Sequence, residues 1–360
     1  MALSPNYLQT CADGIEQIFW SLGTQILMDI AARLKDSEEM TAATEYLNEK
    51  LRVLGLQQTA INQMLAVAMN TTEQEVAKLI EESTYKSTRN TFELLKKAGY
   101  DTSGLSFRDQ ILRGTETLNG ELRNLTRTTG QLASQKLMNA YDQAYLQVAS
   151  GAYSFDQALA NTIEKVAKEG IGMVEYPSGT RRTIEAAARV AVRTSVNQNA
   201  LLCESDIIDK MGVNLVETSS HMGARPSHAV WQGKVFWVKD PEDGYENFYE
   251  ATGYGTPTGL GGYNCRHSFY PYFKELGRQT YEHYDEEQNA KVYQLEQKQR
   301  YLERKERFWD REERVLRAGG QNAAKATKWK KYYKAALTKL VADNKTVLKR
   351  HYANEKAWTK

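Results

Sequence analysis

The sequence predicts a mainly α-helical protein with a small α+β module and long helices at both ends. Polar–apolar patterning of helical period, punctuated by capping sequences, fills the first 150 residues. Between Gly212 and Tyr272 the pattern breaks: nine of the 24 glycines and three of the five histidines gather there, and five of the six prolines lie from Pro177 to Pro271. Glycine and proline at that density oppose helix. From Arg278 to Arg317, ten acidic and ten basic residues share 40 positions, a composition that sustains an exposed helix. The expected organisation is a helical scaffold over 1–150, an α+β module over 151–276, a long charged helix over 277–320 and a basic tail over 321–360.

Within the scaffold, Asp36-Ser37-Glu38-Glu39 reads as a helix start whose pattern runs to Gly55. Thr72 and Glu75 form a second capping box, opening a helix that stops near Gly99. Ser106 with Asp109 opens a third long helix ending by Gly151, and Ser154 with Gln157 a shorter one ending at Gly170. A strand over Ile171–Tyr176 leads into the turn Pro177-Ser178-Gly179. The next helix runs from about Thr183 to Met211, with Gly212 as its stop. On it Glu185, Arg189, Arg193 and Asn197 recur every four residues and share one face, read as a Glu-to-Arg ion-pair ladder on a solvated surface or as a stripe presented to the loops of the glycine-rich island or to a partner. Val213–Thr218 and Lys234–Val238 read as strands flanking a histidine loop. On the charged helix, Leu295, Leu302, Trp309 and Leu316 follow a seven-residue column, a narrow stripe suited to one partner helix or subunit. Pairs such as Glu296 with Arg300 and Glu303 with Arg307 support that helix, and Gly319-Gly320 breaks it.

Composition excludes several classes. Cys11, Cys203 and Cys265 are odd in number and far apart, against a disulfide framework and in keeping with a reducing compartment. The start M-A-L-S-P-N-Y lacks the basic region of a signal peptide, and the most apolar stretch, Ile18–Ala32, is too short and polar to span a bilayer. No membrane association and a cytoplasmic site of synthesis are expected. There is no G-x-x-x-x-G-K-[ST] loop, which argues against an NTPase. Residues 321–360 carry eleven basic against two acidic residues, leaving the rest of the chain at −7. A basic tail on a mildly acidic body points to an anionic partner.

Three blocks carry a resemblance: V-R-T-S-V-N-Q-N-A from Val192, H-M-G-A-R-P-S-H-A-V-W-Q-G-K-V-F from His221, and T-G-Y-G-T-P-T-G-L-G-G-Y-N-C-R-H-S-F-Y-P from Thr252. In this order they resemble the phage minor capsid protein 2 family, which is similar to the phage Mu F-type head-morphogenesis proteins. The likeness covers roughly residues 150–276; the Mu F-type block ends N-C-R-C where His267 stands here. The motif residues it marks are Arg193, Thr194, Asn197, His221, Arg225, His228, Trp231, Gly233, Asn264, Cys265, Arg266 and His267. It implies a virion protein of a tailed phage, present in few copies, acting in head assembly near the portal vertex with portal and capsid subunits as partners, and made in the bacterial host's cytoplasm. Some relatives are linked to ADP-ribosyltransferases; here Thr218-Ser219-Ser220 is not followed by an E-x-E pair.

The chemistry of the island admits three readings. His221, His228, Cys265 and His267 are permitted zinc ligands, though C-x-H spacing departs from the usual structural pairs. A histidine base with Cys265 as nucleophile would make an enzyme, a metal-dependent nuclease or an ADP-ribosyltransferase-like effector. The expected reading is neither: no cofactor and no catalytic residue, but a module ordered by donors from Arg225, Asn264, Arg266 and the imidazoles over Trp231, Phe236, Phe269 and Tyr270. In the tail, Lys325, Lys328, Lys330, Lys331, Lys334, Lys339, Lys345, Lys349 and Arg350 are interleaved with Trp329, Tyr332, Tyr333, Tyr352 and Trp358. That mixture suits contact with double-stranded DNA without sequence preference.

Overall fold

The computed structural model describes residues 3–37, 43–277 and 279–350. Long helices dominate and the sheets are small. Two compact units are each gathered from three stretches: Met1–Ile15, Glu73–Glu121 and Arg189–Lys298 form one, Glu16–Thr72, Leu122–Ala188 and Gln299–Lys360 the other. In chain order, α1 (Pro5–Thr10) and α2 (Asp13–Lys35) precede α3 (Ala43–Lys97), α4 (Arg108–Ala149) and α5 (Phe155–Glu169). A hairpin of β1 (Val174–Glu175) and β2 (Arg181–Arg182) then leads to α6 (Ile184–Met211). Among the described residues no helix is long and apolar enough to cross a membrane.

The sequence places two helices where α3 is one helix of 55 residues. Gly55 stands within it with nothing inside 4 Å of where a Cβ would sit, so no packing demand breaks the helix there. Thr72 caps nothing; its hydroxyl donates to the Ala68 carbonyl one turn back at 2.6 Å. Glu38 and Glu39 of the expected first start lie outside the described residues. The box at Ser154 forms as expected, with Gln157 reaching back to the cap. Gly99, Gly212 and Gly320 each take positive φ and close the ends of helices. At Gly212, the Val213 N–H bonds the Ile208 carbonyl (3.0 Å) and the Gly212 N–H that of Asp209 (3.4 Å), the paired bonds of a Schellman stop.

In the first unit the sheet order is β5-β4-β3-β6, with β3 (Leu215–Thr218) central. β4 (Val235–Trp237) and β6 (Phe269–Pro271) flank it antiparallel, placing Phe236 opposite Val216 and Tyr270 opposite Glu217. β5 (Glu246–Asn247) adds parallel to β4. Short helices α7 (Pro226–Ala229) and α8 (Phe248–Thr252) fill the connections. The core joins Leu201 and Ile207 of α6 to Trp231, Phe236, Phe248 and Phe269. Truncating one of these phenylalanines to alanine costs about 3–5 kcal/mol.

In the second unit, α2 buries Phe19, Leu22, Ile26, Ile30 and Leu34 at helical spacing, and α5 buries Leu159, Ile163 and Val166. Here α9 (Glu286–Ala318) contributes its later part and is followed by α10 (Ala324–Asp343). Arg307 reaches Glu16 at 2.9 Å in a nearly buried pair. A Cβ on Gly319 would lie 2.7 Å from Ile163, so the helix end approaches α5 closely. Leu302 and Leu316 of the seven-residue column are buried within the unit, and Trp309 stacks on Trp329 of α10 with centroids 6.0 Å apart. Leu295 is half-buried. The stripe is therefore largely taken up by the chain itself.

Candidate functional site

The three blocks, distant in sequence, converge along α6. Thr194 Oγ1 accepts the backbone N–H of Asn264 (3.3 Å), a residue held at φ +57. Asn197 is wholly buried and donates from Nδ2 to the carbonyls of Cys265 (3.3 Å) and His267 (3.1 Å). Arg193 donates to the carbonyls of Leu8 (2.7 Å) and Gln9 (2.6 Å), clasping the end of α1. Of the four residues on that face, Asn197 thus turns to the island's carbonyls and Arg193 to those at the end of α1, both inside the unit.

The loops bind each other in the same manner. Arg225 donates to the Tyr263 carbonyl at 2.8 Å. Arg266, only 8% exposed, donates to Gln9 Oε1 (2.7 Å) and Glu296 Oε2 (3.0 Å). Asn289 exchanges two hydrogen bonds with the backbone of Ala224, at 2.9 and 2.8 Å. Gly233 takes φ +66, and a Cβ there would stand 2.4 Å from the Glu282 carbonyl oxygen, so only glycine fits. Trp231 is buried with its ring 4.7 Å from that of His228 and 4.8 Å from that of His267.

Three of the four candidate metal ligands come together, all buried: His228 on α7, and Cys265 and His267 on the run into β6. Cys265 Sγ lies 3.8 Å from His228 Nδ1 and 3.7 Å from His267 Nδ1, and the two Nδ1 atoms are 3.3 Å apart. His221 stays outside the triad. Its ring stacks on His267 at 4.6 Å, but its Nδ1 is engaged by the Met222 carbonyl (2.9 Å) beside Arg266. On their far sides His228 Nε2 meets the Thr258 carbonyl (2.8 Å) and His267 Nε2 meets Gln232 Oε1 (3.1 Å).

Burial pulls His228 down to about 4, against the support of the Thr258 carbonyl and with the nearby Arg225 charge adding to the fall. His267 lies well below the usual histidine range, again from burial first and then from the surrounding His221, His228 and arginine charges. Burial pushes the Cys265 thiol up, in spite of backbone N–H groups and two arginines that favour the thiolate. Both imidazoles are thus neutral and the thiol protonated, the reverse of an activated Cys–His pair. A cleft of about 430 Å³ lies between α6 residues such as Thr194 and Gln198 and the glycine loop from Tyr254 to Tyr263, and no residue of the triad lines it.

Gln232, Thr258, Glu296, Gln9 and Asn289 are positioning residues that the sequence reading did not select. Gln232 and Thr258 stand inside the quoted blocks, but Thr258 acts through its carbonyl, which any residue offers. Glu296 reads in sequence as one half of a pair with Arg300; its bond to Arg266 has no sequence signal.

In the tail, Lys325, Lys328, Lys331, Lys334, Lys339, Lys345 and Lys349 are exposed. Lys330 is half-buried and paired with Asp310 (2.5 Å) and Glu313 (3.0 Å), so its charge is already neutralised. Arg350 donates to Thr338 Oγ1 at 2.6 Å. Trp329 and Tyr333 cluster with each other, with ring centroids 5.9 Å apart, while Tyr332 is largely exposed. Tyr352 and Trp358 lie outside the described residues.

The profile of the family described as phage minor capsid protein 2 matches residues 3–342. A structural protein of Lactococcus phage LL-H is 31% identical over 225 residues, covering 60% of each chain. A structural protein of Lactococcus phage mv4 is 37% identical over 114 residues, 31% of this chain and 91% of that one. The chain therefore spans about three fifths of the length of the first of these relatives. No solved structure matches. With its profile matched over nearly the whole sequence, and with the three blocks folded into one hydrogen-bonded site, the chain belongs to the phage minor capsid protein 2 family.

Proposed function

We propose that this protein is a virion component of a tailed phage that works by binding, holding portal or capsid subunits in the head near the portal vertex and touching packaged duplex DNA through α10. Family membership and the likeness to two phage structural proteins support the virion setting. The island supports a binding role over turnover, since its Cys–His contacts are buried and its side chains are spent on tying loops together. Nothing in the likenesses favours the nuclease or ADP-ribosyltransferase alternative.

The observation that carries the DNA contact is the two-faced character of α10. Ala326, Leu337 and Leu340 are buried on one side. On the other, Lys325, Lys328, Lys331, Lys334 and Lys339 are exposed, with helical spacing that spreads them over one half of the cylinder. Duplex binding should weaken with salt by about 0.9 log–log units per neutralised phosphate. The test is fluorescence anisotropy of labelled duplexes of unrelated sequence, with the full chain and with Lys325, Lys328, Lys331 and Lys334 all changed to glutamine. The expected result is weak, sequence-blind binding whose salt slope falls by about 3–4 in the variant. An unchanged slope would overturn the α10 contact. Cross-linking mass spectrometry of purified heads tests the partner reading, which fails if the protein is absent from particles or yields no cross-link to portal or capsid subunits.

A further inference from the structure

One buried polar cluster of the first unit is not self-consistent as a set of hydrogen bonds. The Thr258 carbonyl only accepts, so His228 Nε2, 2.8 Å away, must carry the proton. Gln232 Oε1 accepts the backbone N–H of His221 at 3.0 Å, which fixes that amide's orientation; His267 Nε2, 3.1 Å from the same oxygen, must therefore donate as well. Each neutral ring then has a bare lone pair at Nδ1, and these two nitrogens face each other at 3.3 Å. Two lone pairs make no hydrogen bond. The single proton of the Cys265 thiol can serve one of them, at 3.8 or 3.7 Å, and leaves the other opposed inside a buried site. A second ring proton would relieve the clash only by placing a charged imidazole in a site about 1% exposed.

The same distances fit a metal. A tetrahedral zinc ion with bonds of about 2.0–2.1 Å to nitrogen and about 2.3 Å to sulfur sets its ligands about 3.3 Å apart for N···N and about 3.6 Å for N···S. The triad shows 3.3 Å for the nitrogens and 3.7 and 3.8 Å from sulfur to nitrogen, one triangular face of that tetrahedron. The outer shell is also that of a ligand set. Each imidazole gives its remote N–H to a carbonyl-type oxygen, which fixes the tautomer that presents Nδ1. The His267 backbone N–H points at Cys265 Sγ at 3.4 Å, a bond that favours thiolate. Asn197 anchors the Cys265 and His267 carbonyls, so the short C-x-H run is bent to bring both ligands to one point.

We infer that His228 Nδ1, His267 Nδ1 and Cys265 Sγ bind one zinc ion, which staples α7 to the run entering β6. On loading, the Cys265 thiol passes its proton to solvent and binds as thiolate, with no change of oxidation state. Neutral imidazole and thiolate are donors that zinc accepts readily. Three protein ligands leave one tetrahedral position for a small ligand such as water, and it is the burial of all three side chains, each about 1% exposed, that favours a structural role. His221 is not a ligand. The proposal stands apart from the virion reading, which is unaffected by either result.

The test uses the full chain without a polyhistidine tag. Plasma mass spectrometry should find about one zinc per chain. Protein produced in cobalt-supplemented minimal medium should show thiolate-to-cobalt charge-transfer absorption and the strong visible bands of a four-coordinate ion. His221→Ala should keep the metal, and Cys265→Ser should lose it together with the charge-transfer band. If Cys265→Ser does not fold, the cobalt spectrum of the unaltered chain decides by itself, because that band requires a sulfur ligand. A folded, unaltered chain holding less than about 0.1 equivalent of metal and showing no such band would overturn the assignment. So would metal retained in both Cys265→Ser and His267→Ala.

Discussion

Replacing Asn197 by alanine removes one side-chain amide that serves two main-chain carbonyls, those of Cys265 and His267, at 3.3 and 3.1 Å. Both acceptors are in buried residues, so water cannot take over the bonds without opening the loop. Leaving a buried acceptor without its donor costs about 1–3 kcal/mol, which sets the loss at about 2–6 kcal/mol for the pair. Asn197→Asp separates hydrogen bonding from packing. The shape is kept, but an oxygen replaces Nδ2 and faces two carbonyl oxygens, so the carboxyl must hold a proton for the loop to close. The aspartate variant should therefore be nearer to the parent at about pH 5 than at about pH 8, while the alanine variant should be equally weak at both. Thermal melts at the two pH values, with hydrogen exchange followed over residues 258–272, read the outcome. An alanine variant within about 1 kcal/mol of the parent and with unchanged exchange would refute the claim that α6 holds this loop through Asn197.

Glu204 lies wholly buried on α6, accepting hydroxyl bonds from Ser87 (2.7 Å) and Thr91 (2.9 Å), yet burial raises it from 4.5 to about 7. A raised carboxyl favours the folded state fully below its unfolded value and loses that advantage as pH rises toward the folded one. Stability should thus decline from about pH 4.5 to about pH 7 on its account, and Glu204→Gln should flatten the decline and melt higher than the parent above pH 7. A parallel pH profile for the two proteins would count against a neutral Glu204. Gly233→Ala forces φ +66 on a side-chain residue and sets a Cβ 2.4 Å from a backbone oxygen. Left-handed backbone costs about 1–2 kcal/mol, and displacing the Glu282 segment adds to it, so a loss above about 2 kcal/mol is expected from chemical denaturation. A change below about 1 kcal/mol would mean the 280–284 segment moves aside freely.

The features that sequence made legible are those set by neighbours along the chain. The Ser154–Gln157 box and the glycine stop at Gly212 stand where local chemistry puts them. The break at Gly55 and Thr72 does not, because a glycine or threonine inside a helix permits an end without compelling one. The island's residues were legible as a set through their three blocks, but their geometry was not. Arg193 and Asn197 look like members of a surface ladder until the carbonyls of Leu8, Gln9, Cys265 and His267 are seen against them. Main-chain acceptors leave no trace in residue identity. The seven-residue column carried a similar ambiguity: a stripe of Leu302, Trp309 and Leu316 is the same pattern whether it meets another subunit or its own chain.

The bond from Ser268 Oγ to the Leu3 carbonyl, at 2.8 Å, spans 265 positions, Arg266 grips Gln9 across 257, and Arg193 grips Leu8 and Gln9 across 185 and 184. On a ribosome adding about 5–20 residues per second, the first of these segments waits for roughly 10–60 s before its last partner emerges. Throughout that interval Leu3 and Leu8, both fully buried in the finished protein, have no home in the unit they belong to. Maturation of this unit is in that sense a late event in synthesis. Chains released early would expose an apolar stretch around Leu3 and Leu8, which suits them to removal by chaperones and proteases.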